Sequence, residues 1–278
     1  MSPLWRDEIG VHLSPQRLCA VRLQRGLRPR QVATHEQALA GRGEAWGEAV
    51  EKFAQLLALA DWSGVATRVV IADHWARYCI VPWVGSLNSE SERLAYGRQL
   101  LTSSYGESIA DWEVRVSAAP PQRDAVACAV PRELIAALRA ACALQGISLL
   151  SLQPQLIAAY AAWRGRLPDA NAWFVSIEPG SLAAAHVGAH GWDRVYSVRI
   201  GVDWLRELKR LRTFGRLASR SPGEGNVYVD APHAWRTLGS AVEPTSGSPE
   251  ASALRWLDEE SGPVSTLQRL NRARRLAA

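Results

Sequence analysis

Two short segments about half a chain apart carry residue types from which a phosphate cradle can be built. The first runs from Glu8 to Leu23 and turns at Ser14-Pro15-Gln16-Arg17; the second runs from Trp173 to Val187 and turns at Glu178-Pro179-Gly180-Ser181. Each reads as an apolar strand, a tight turn and a second apolar strand. A turn that holds phosphate needs small residues, so that the backbone can approach and aim its N–H groups at the oxygens. Ser14, Gly180 and Ser181 meet that need. Pro15 and Pro179 each delete an N–H donor, and Gln16 and Arg17 crowd the approach. His186 and His190 flank the Gly188-Ala189 turn at a spacing that two metal ligands could share. With no third ligand nearby they read as surface histidines of a hairpin, and no metal is expected. The chain has no P-loop, Gly-x-Ser-x-Gly, Gly-x-Gly-x-x-Gly or His-Glu-x-x-His signature. Gly223-Glu224-Gly225 reads as a plain turn.

The elements that must position these turns follow from hydrophobic periodicity. After the first hairpin comes a strand at Gln31–Gln37. An amphipathic helix then spans Trp46–Ala60, with Ala49, Val50, Phe53, Leu56 and Leu57 on one face. Arg68–Ala72 and Trp75–Val81 read as strands. Asn88–Ser104 is a more polar helix, within a peripheral insertion at about residues 85–120. Asp111–Val116 alternates as a half-exposed strand, Asp124–Val130 is a further strand, and Pro131 opens a helix closed by Gly146. Ile147–Leu152 is a strand, and a helix follows Pro154. Gly165–Asn171 marks the boundary between a first lobe, 1–165, and a shortened second lobe, 171–240. The second lobe repeats the pattern with a strand at Arg194–Ile200, a helix at Trp204–Leu217, a strand at Asn226–Val229 and a short helix at Ala234–Leu238. Residues 241–278 read as a Gly/Pro/Ser linker followed by helical patterns at Ala251–Glu260 and Val264–Ala277.

Composition narrows the function. The chain has 278 residues, 47% of them hydrophobic, and a net charge of +5 that comes almost wholly from arginine. No basic stripe carries interleaved aromatics, so a nucleic-acid partner is not expected; such a regulator would show salt-dependent affinity for DNA. The tail arginines Arg269, Arg272, Arg274 and Arg275 read as a solvated helix end, with contact to acidic lipid or an acidic partner as the alternative. Cys19, Cys79, Cys128 and Cys142 form no Cys-x-x-Cys pair and are expected as buried free thiols. There is no signal-peptide layout and no membrane-spanning run, which points to the cytoplasm. Trp46, Trp173 and Trp204 fall on apolar faces. Trp62, Trp83, Trp192 and Trp235 lie beside turns, where half-buried packing is the expected role and anchoring a partner peptide the alternative.

The domain-scale duplication of strands and helices resembles the bilobal α/β fold of actin, Hsp70 and the sugar kinases, an RNase H-like design. In that fold an aspartate normally ends each first strand, where it holds magnesium or orients the nucleophile, and a glycine pair after a late strand admits adenosine. The resemblance places His12 and Glu178 at the aspartate positions and Asp230-Ala231-Pro232 at the glycine pair. The cleft positions His12, Ser14, Gln16, Glu178, Gly180, Ser181 and Asp230 are therefore vestigial, with no catalytic residue and no bound cofactor expected.

Gly10-Val11-His12-Leu13-Ser14 stands where the type IV pilus protein PilM has Gly-Ile-Asp-Ile-Gly. Val69–Ala72 with Arg77–Pro82, and Ala127–Ile135 continuing to Gly146-Ile147, are similar to later stretches of that family. The likeness covers roughly residues 8–240 and extends to the cytoplasmic part of the type II secretion protein GspL, the closer functional parallel because it works as a scaffold. GspL-like chains usually continue into a membrane helix, which this one lacks. The resemblance implies a non-enzymatic adaptor at an inner-membrane assembly platform. It would hold the tail of a PilN- or GspM-like protein, with an assembly ATPase as a further contact and a homodimer as one arrangement. The rival expectation is an active ATPase or small-molecule kinase of the same fold.

Overall fold

The computed structural model describes residues 7–24, 30–87, 89–168, 171–188, 191–201, 203–217, 226–232, 235 and 254–257. By its internal contacts the chain divides into two units. One combines the described residues up to Trp75 with Arg132–Ala162; the other combines Ala76–Pro131 with the described residues from Trp163 onward.

The first unit is built on a five-stranded sheet. Its strands are β1 (Glu8–Ser14), β2 (Arg17–Gln24), β3 (Arg30–Ala38), β4 (Ala66–Ile71) and β8 (Leu149–Pro154), in the order β3-β2-β1-β4-β8. β1 runs antiparallel to β2 and parallel to β4, and β4 runs parallel to β8. All seven residues of β1 are buried, as expected of a strand covered on both faces. Helix α1 (Gly47–Ala58) turns Ala49, Phe53, Leu56 and Leu57 inward and packs against α3 (Arg132–Leu144), which buries Leu134, Leu138, Ala141 and Cys142. Helix α4 (Gln155–Trp163) places Ala158 in a cluster with Val21, Leu23 and Val70. Register puts Gly10 and His12 on that same face, opposite Val21 and Cys19.

The second unit holds a sheet of the same design. β9 (Ala172–Glu178), β10 (Ser181–Gly188), β11 (Gly191–Arg199), β12 (Asn226–Asp230) and β13 (Leu254–Trp256) lie in the order β11-β10-β9-β12-β13. Order and strand sense repeat the first sheet position by position: two antiparallel pairs, then two parallel ones. Helix α5 (Trp204–Leu217) covers one face, burying Trp204, Leu208 and Leu211 against Val175, Ile177, Leu182 and Val229. Burying three such side chains is worth roughly 1.5–3 kcal/mol each.

The same unit contains a three-stranded antiparallel sheet, β5 (Arg77–Val81), β7 (Ala125–Pro131) and β6 (Trp112–Val116), in the order β5-β7-β6. Helix α2 (Glu90–Tyr105) lies on it so closely that a Cβ at Gly97 would meet Val116 at 3.0 Å and Val81 and Ala127 at 3.3 Å.

Two sequence expectations need correction. Residues 254–256 form a strand rather than part of a helix at Ala251–Glu260. Leu254 and Trp256 fit either period over so short a stretch, and the open edge of β12 supplies the backbone partners that decide it. Trp75 does not begin a strand: Asp73–Trp75 is a single 3₁₀ turn, and β5 starts at Arg77. The linker from 239 to 250, the helix expected at Val264–Ala277, the tail arginines, the Gly223–Gly225 turn and His190 lie outside the described residues, as does most of Ala234–Leu238.

Candidate functional site

The two turns singled out by sequence are built alike. In the first, Ser14 and Arg17 pair across Pro15-Gln16; in the second, Glu178 and Ser181 pair across Pro179-Gly180. Gly180 has φ +80°, the left-handed geometry that a Pro-Gly type II turn requires at its third residue. Each turn is closed by the residue that follows its third strand. Leu39 N–H donates to the Gln16 carbonyl at 2.8 Å, and Ile200 N–H donates to the Gly180 carbonyl at 3.1 Å. Pro15 is buried, and Gly41 lies so near it that a Cβ there would sit 2.5 Å from the Pro15 carbonyl oxygen. The Ser14 hydroxyl donates back to the Arg17 carbonyl at 3.1 Å, so this small polar group is bonded within its own turn. Gln16 is exposed, and Arg17 pairs with Glu36 at 3.3 Å.

Counting back from each turn proline gives an equivalence that sequence reading missed. His12, three residues before Pro15, corresponds to Ser176, three residues before Pro179, while Glu178 corresponds to Ser14. Neither of the two equivalent strand positions carries a carboxylate. Ser176 is 1% exposed, its hydroxyl has no hydrogen-bond partner, and it lies beside Asp230 in register. The strand-turn periods were visible in sequence; their alignment was obscured because the turn residues differ in size.

Asp230 ends β12 and is buried. Its Oδ1 accepts the indole N–H of Trp163, at the end of α4, at 3.2 Å. Asp73 is a second buried carboxylate, one that sequence reading did not single out. Both its oxygens accept the Leu156 N–H at 3.1 Å, which caps the start of α4. The Ala72 N–H beside it donates to the Leu13 carbonyl, fixing this corner against the first hairpin. Glu8 is held by both Nε and Nη2 of Arg68, at 3.0 and 3.3 Å. Thus Glu8, Asp73 and Asp230 each bind a donor of the protein itself.

His186 is a correction: it is buried, not on the hairpin surface. Its Nδ1 lies 2.7 Å from Asp193 Oδ1 and its ring 5.0 Å from that of Trp173. Register explains this, because His186 faces Trp173 across β9–β10. Among the described residues no three His, Cys, Asp or Glu side chains form a metal-sized group. Cys19 and Cys142 are buried free thiols, while Cys79 and Cys128 are half-buried. Burial pushes Cys19 up from an ordinary 9.0 to about 12 and Cys79 and Cys142 to about 11. Of the turn-flanking tryptophans, Trp62 and Trp192 are buried and Trp235 packs on the α5 core; Trp83 is 46% exposed, beside exposed Val84. Trp173 and Trp204 are core, as their faces suggested, and Trp46 is half-buried.

Duplicated sheets of this order and sense, each entered by a hairpin, define a bilobal α/β actin-like fold. No protein-family profile matches the chain, and no curated protein matches it. Solved structures do. The chain is similar to the cytoplasmic domain of EpsL, an inner-membrane component of the Vibrio cholerae type II secretion system, with 15% identity and TM-score 0.58 over 98% of this chain and 95% of that one. It is similar to the PilM–PilN type IV pilus biogenesis complex, with 14% identity and TM-score 0.64 over 96% and 98%. A Bacteroides thetaiotaomicron protein with an actin-like ATPase fold and unknown function matches at 9% identity and TM-score 0.61, over 97% and 98%. At these identities the likeness is one of fold, and the expected resemblance to PilM and GspL holds at that level.

Proposed function

We propose that this chain is a non-enzymatic cytoplasmic adaptor of a type IV pilus or type II secretion assembly platform, holding the cytoplasmic tail of an inner-membrane protein. The observation that carries the reading is the matched change in both hairpins. His12 and Ser176 stand at equivalent places where magnesium chemistry needs a carboxylate, and a proline opens each turn where a phosphate needs an N–H. The likeness in fold to EpsL and to PilM bound to PilN supplies the setting. No helix among the described residues is long and apolar enough to cross a membrane.

The test has two arms. Calorimetric titration with Mg·ATP and Mg·ADP is expected to show no saturable heat at millimolar nucleotide. Synthetic peptides covering the cytoplasmic tails of inner-membrane proteins encoded beside this chain are expected to include one that binds. Micromolar nucleotide affinity with turnover would replace the adaptor reading with an ATPase or kinase.

A further inference from the structure

The 23 residues from Arg194 to Arg216 carry seven arginines and lysines against two carboxylates, Asp203 and Glu207. That excess of five equals the net charge of the whole chain. Within it, the sequence of α5 supplies five cations and only Glu207 as an acid. Folding sorts these residues. Trp204, Leu208 and Leu211 turn onto the sheet, whereas Arg206, Lys209 and Arg210 are exposed along the opposite side. Glu207 pairs with Arg210 at 3.5 Å, and Asp203 accepts the Arg206 N–H at 3.1 Å as a helix cap. Both acids thus sit at the N-terminal end, and the exposed side of α5 carries Arg206, Lys209 and Arg210.

We infer that the exposed face of α5 docks an acidic, extended segment of a partner protein. This names the chemistry of a docking partner and so rests on the adaptor reading. Arg206 and Arg210 stand one turn apart, about 6 Å along the axis. Carboxylates on alternate residues of an extended chain recur about every 6.6 Å, so successive acidic side chains meet successive cations. Guanidinium forks fit carboxylates in paired hydrogen bonds, which adds geometric selection to the charge. The apolar stripe of α5 is already buried against β9, β10 and β12. Among its described side chains the helix therefore has no further apolar side to sink into a bilayer, as interfacial helices do. Exposed aromatics that would stack on nucleic-acid bases are missing among the described residues of this face.

A fluorescein-labelled decapeptide alternating Glu and Ser is the probe, read by anisotropy with the full chain at several salt concentrations. The charge-reversed variant R206E/K209E/R210E is compared with R115E/R139E, which changes exposed arginines of β6 and α3. Thermal melts confirm that each variant folds. The expected result is salt-sensitive binding that weakens at least about tenfold on reversing α5 and less than about twofold in the control. Equal losses in the two variants, or no binding by the unmodified chain, overturn the inference. So does tighter capture of vesicles containing 30% phosphatidylglycerol, or of duplex DNA, by the same face. An α5-reversed chain that still captures the inner-membrane tail discards this partner surface and leaves the adaptor reading intact.

Discussion

Burial of the thiols has a consequence that acts through pH. Cys19 is pushed up to about 12 chiefly by desolvation, with Glu36 adding to it and Arg17 opposing; Cys142 is raised to about 11 by desolvation alone. Below the unfolded value of 9.0 both states keep the proton, and the stabilising difference is fully present. As pH rises from there toward the folded values, the unfolded chain ionises first, binds fewer protons and gains. Stability is therefore expected to fall between about pH 9 and pH 12, and C19A/C142A is expected to flatten that fall. Urea midpoints across this range measure it, and an unchanged slope in the double variant would contradict the assignment. At this scale sequence reading was uneven. Burial of Cys19 and Cys142 followed from the apolar pattern around them, whereas Cys79 and Cys128, expected buried as well, are half-buried. The bonds that occupy Asp230 and Asp73 did not follow from any such pattern, because Trp163 and Leu156 lie 67 and 83 positions away and no local period connects them.

Helix ends show how local chemistry sets element boundaries. Ser89 accepts the Glu92 N–H while Glu92 reaches back to the Ser89 N–H, a reciprocal cap that starts α2 at Glu90. Helix α3 stops where Gly146 adopts φ +64°; Gly146 N–H then reaches the Ala143 carbonyl and Ile147 N–H the Cys142 carbonyl. S89A and G146A are each expected to lower stability by about 1 kcal/mol, read from denaturant midpoints with unchanged slopes. The Gly146 stop was legible in sequence, since glycine after an apolar helical stripe has one ordinary use. β13 was not, because three residues carry too little period and the deciding contact, the free edge of β12, is tertiary. His186 was misplaced for a similar reason: a histidine near a turn looks exposed until its cross-strand partner Trp173 is known.

Across the whole molecule, the repeated strand order and sense make the duplication a property of topology rather than of residue identity. That is why the fold could be read from element order although its two hairpins share few side chains. Each sheet is completed by a fifth strand parallel to its fourth, β8 in one and β13 in the other. A chain ending at residue 253 lacks β13. It is expected to show faster amide exchange along β12, including Val227 and Val229, while β1, β4 and β8 keep their protection. Uniform loss of protection in both sheets would show instead that the two units do not respond separately.

The late arrival of β13 also matters while the protein is being made. Twenty-three residues separate Asp230 from Leu254, so a ribosome adding about 5–20 residues per second leaves the outer edge of β12 without its neighbour for roughly one to five seconds. Once it has left the ribosome, and until β13 follows it out, the new chain presents a bare strand edge, Asn226–Asp230, beside an already translated apolar hairpin. Newly made copies on one messenger are then at their most prone to pair with each other, and the yield of this protein in a cell should depend on how quickly its last strand is delivered.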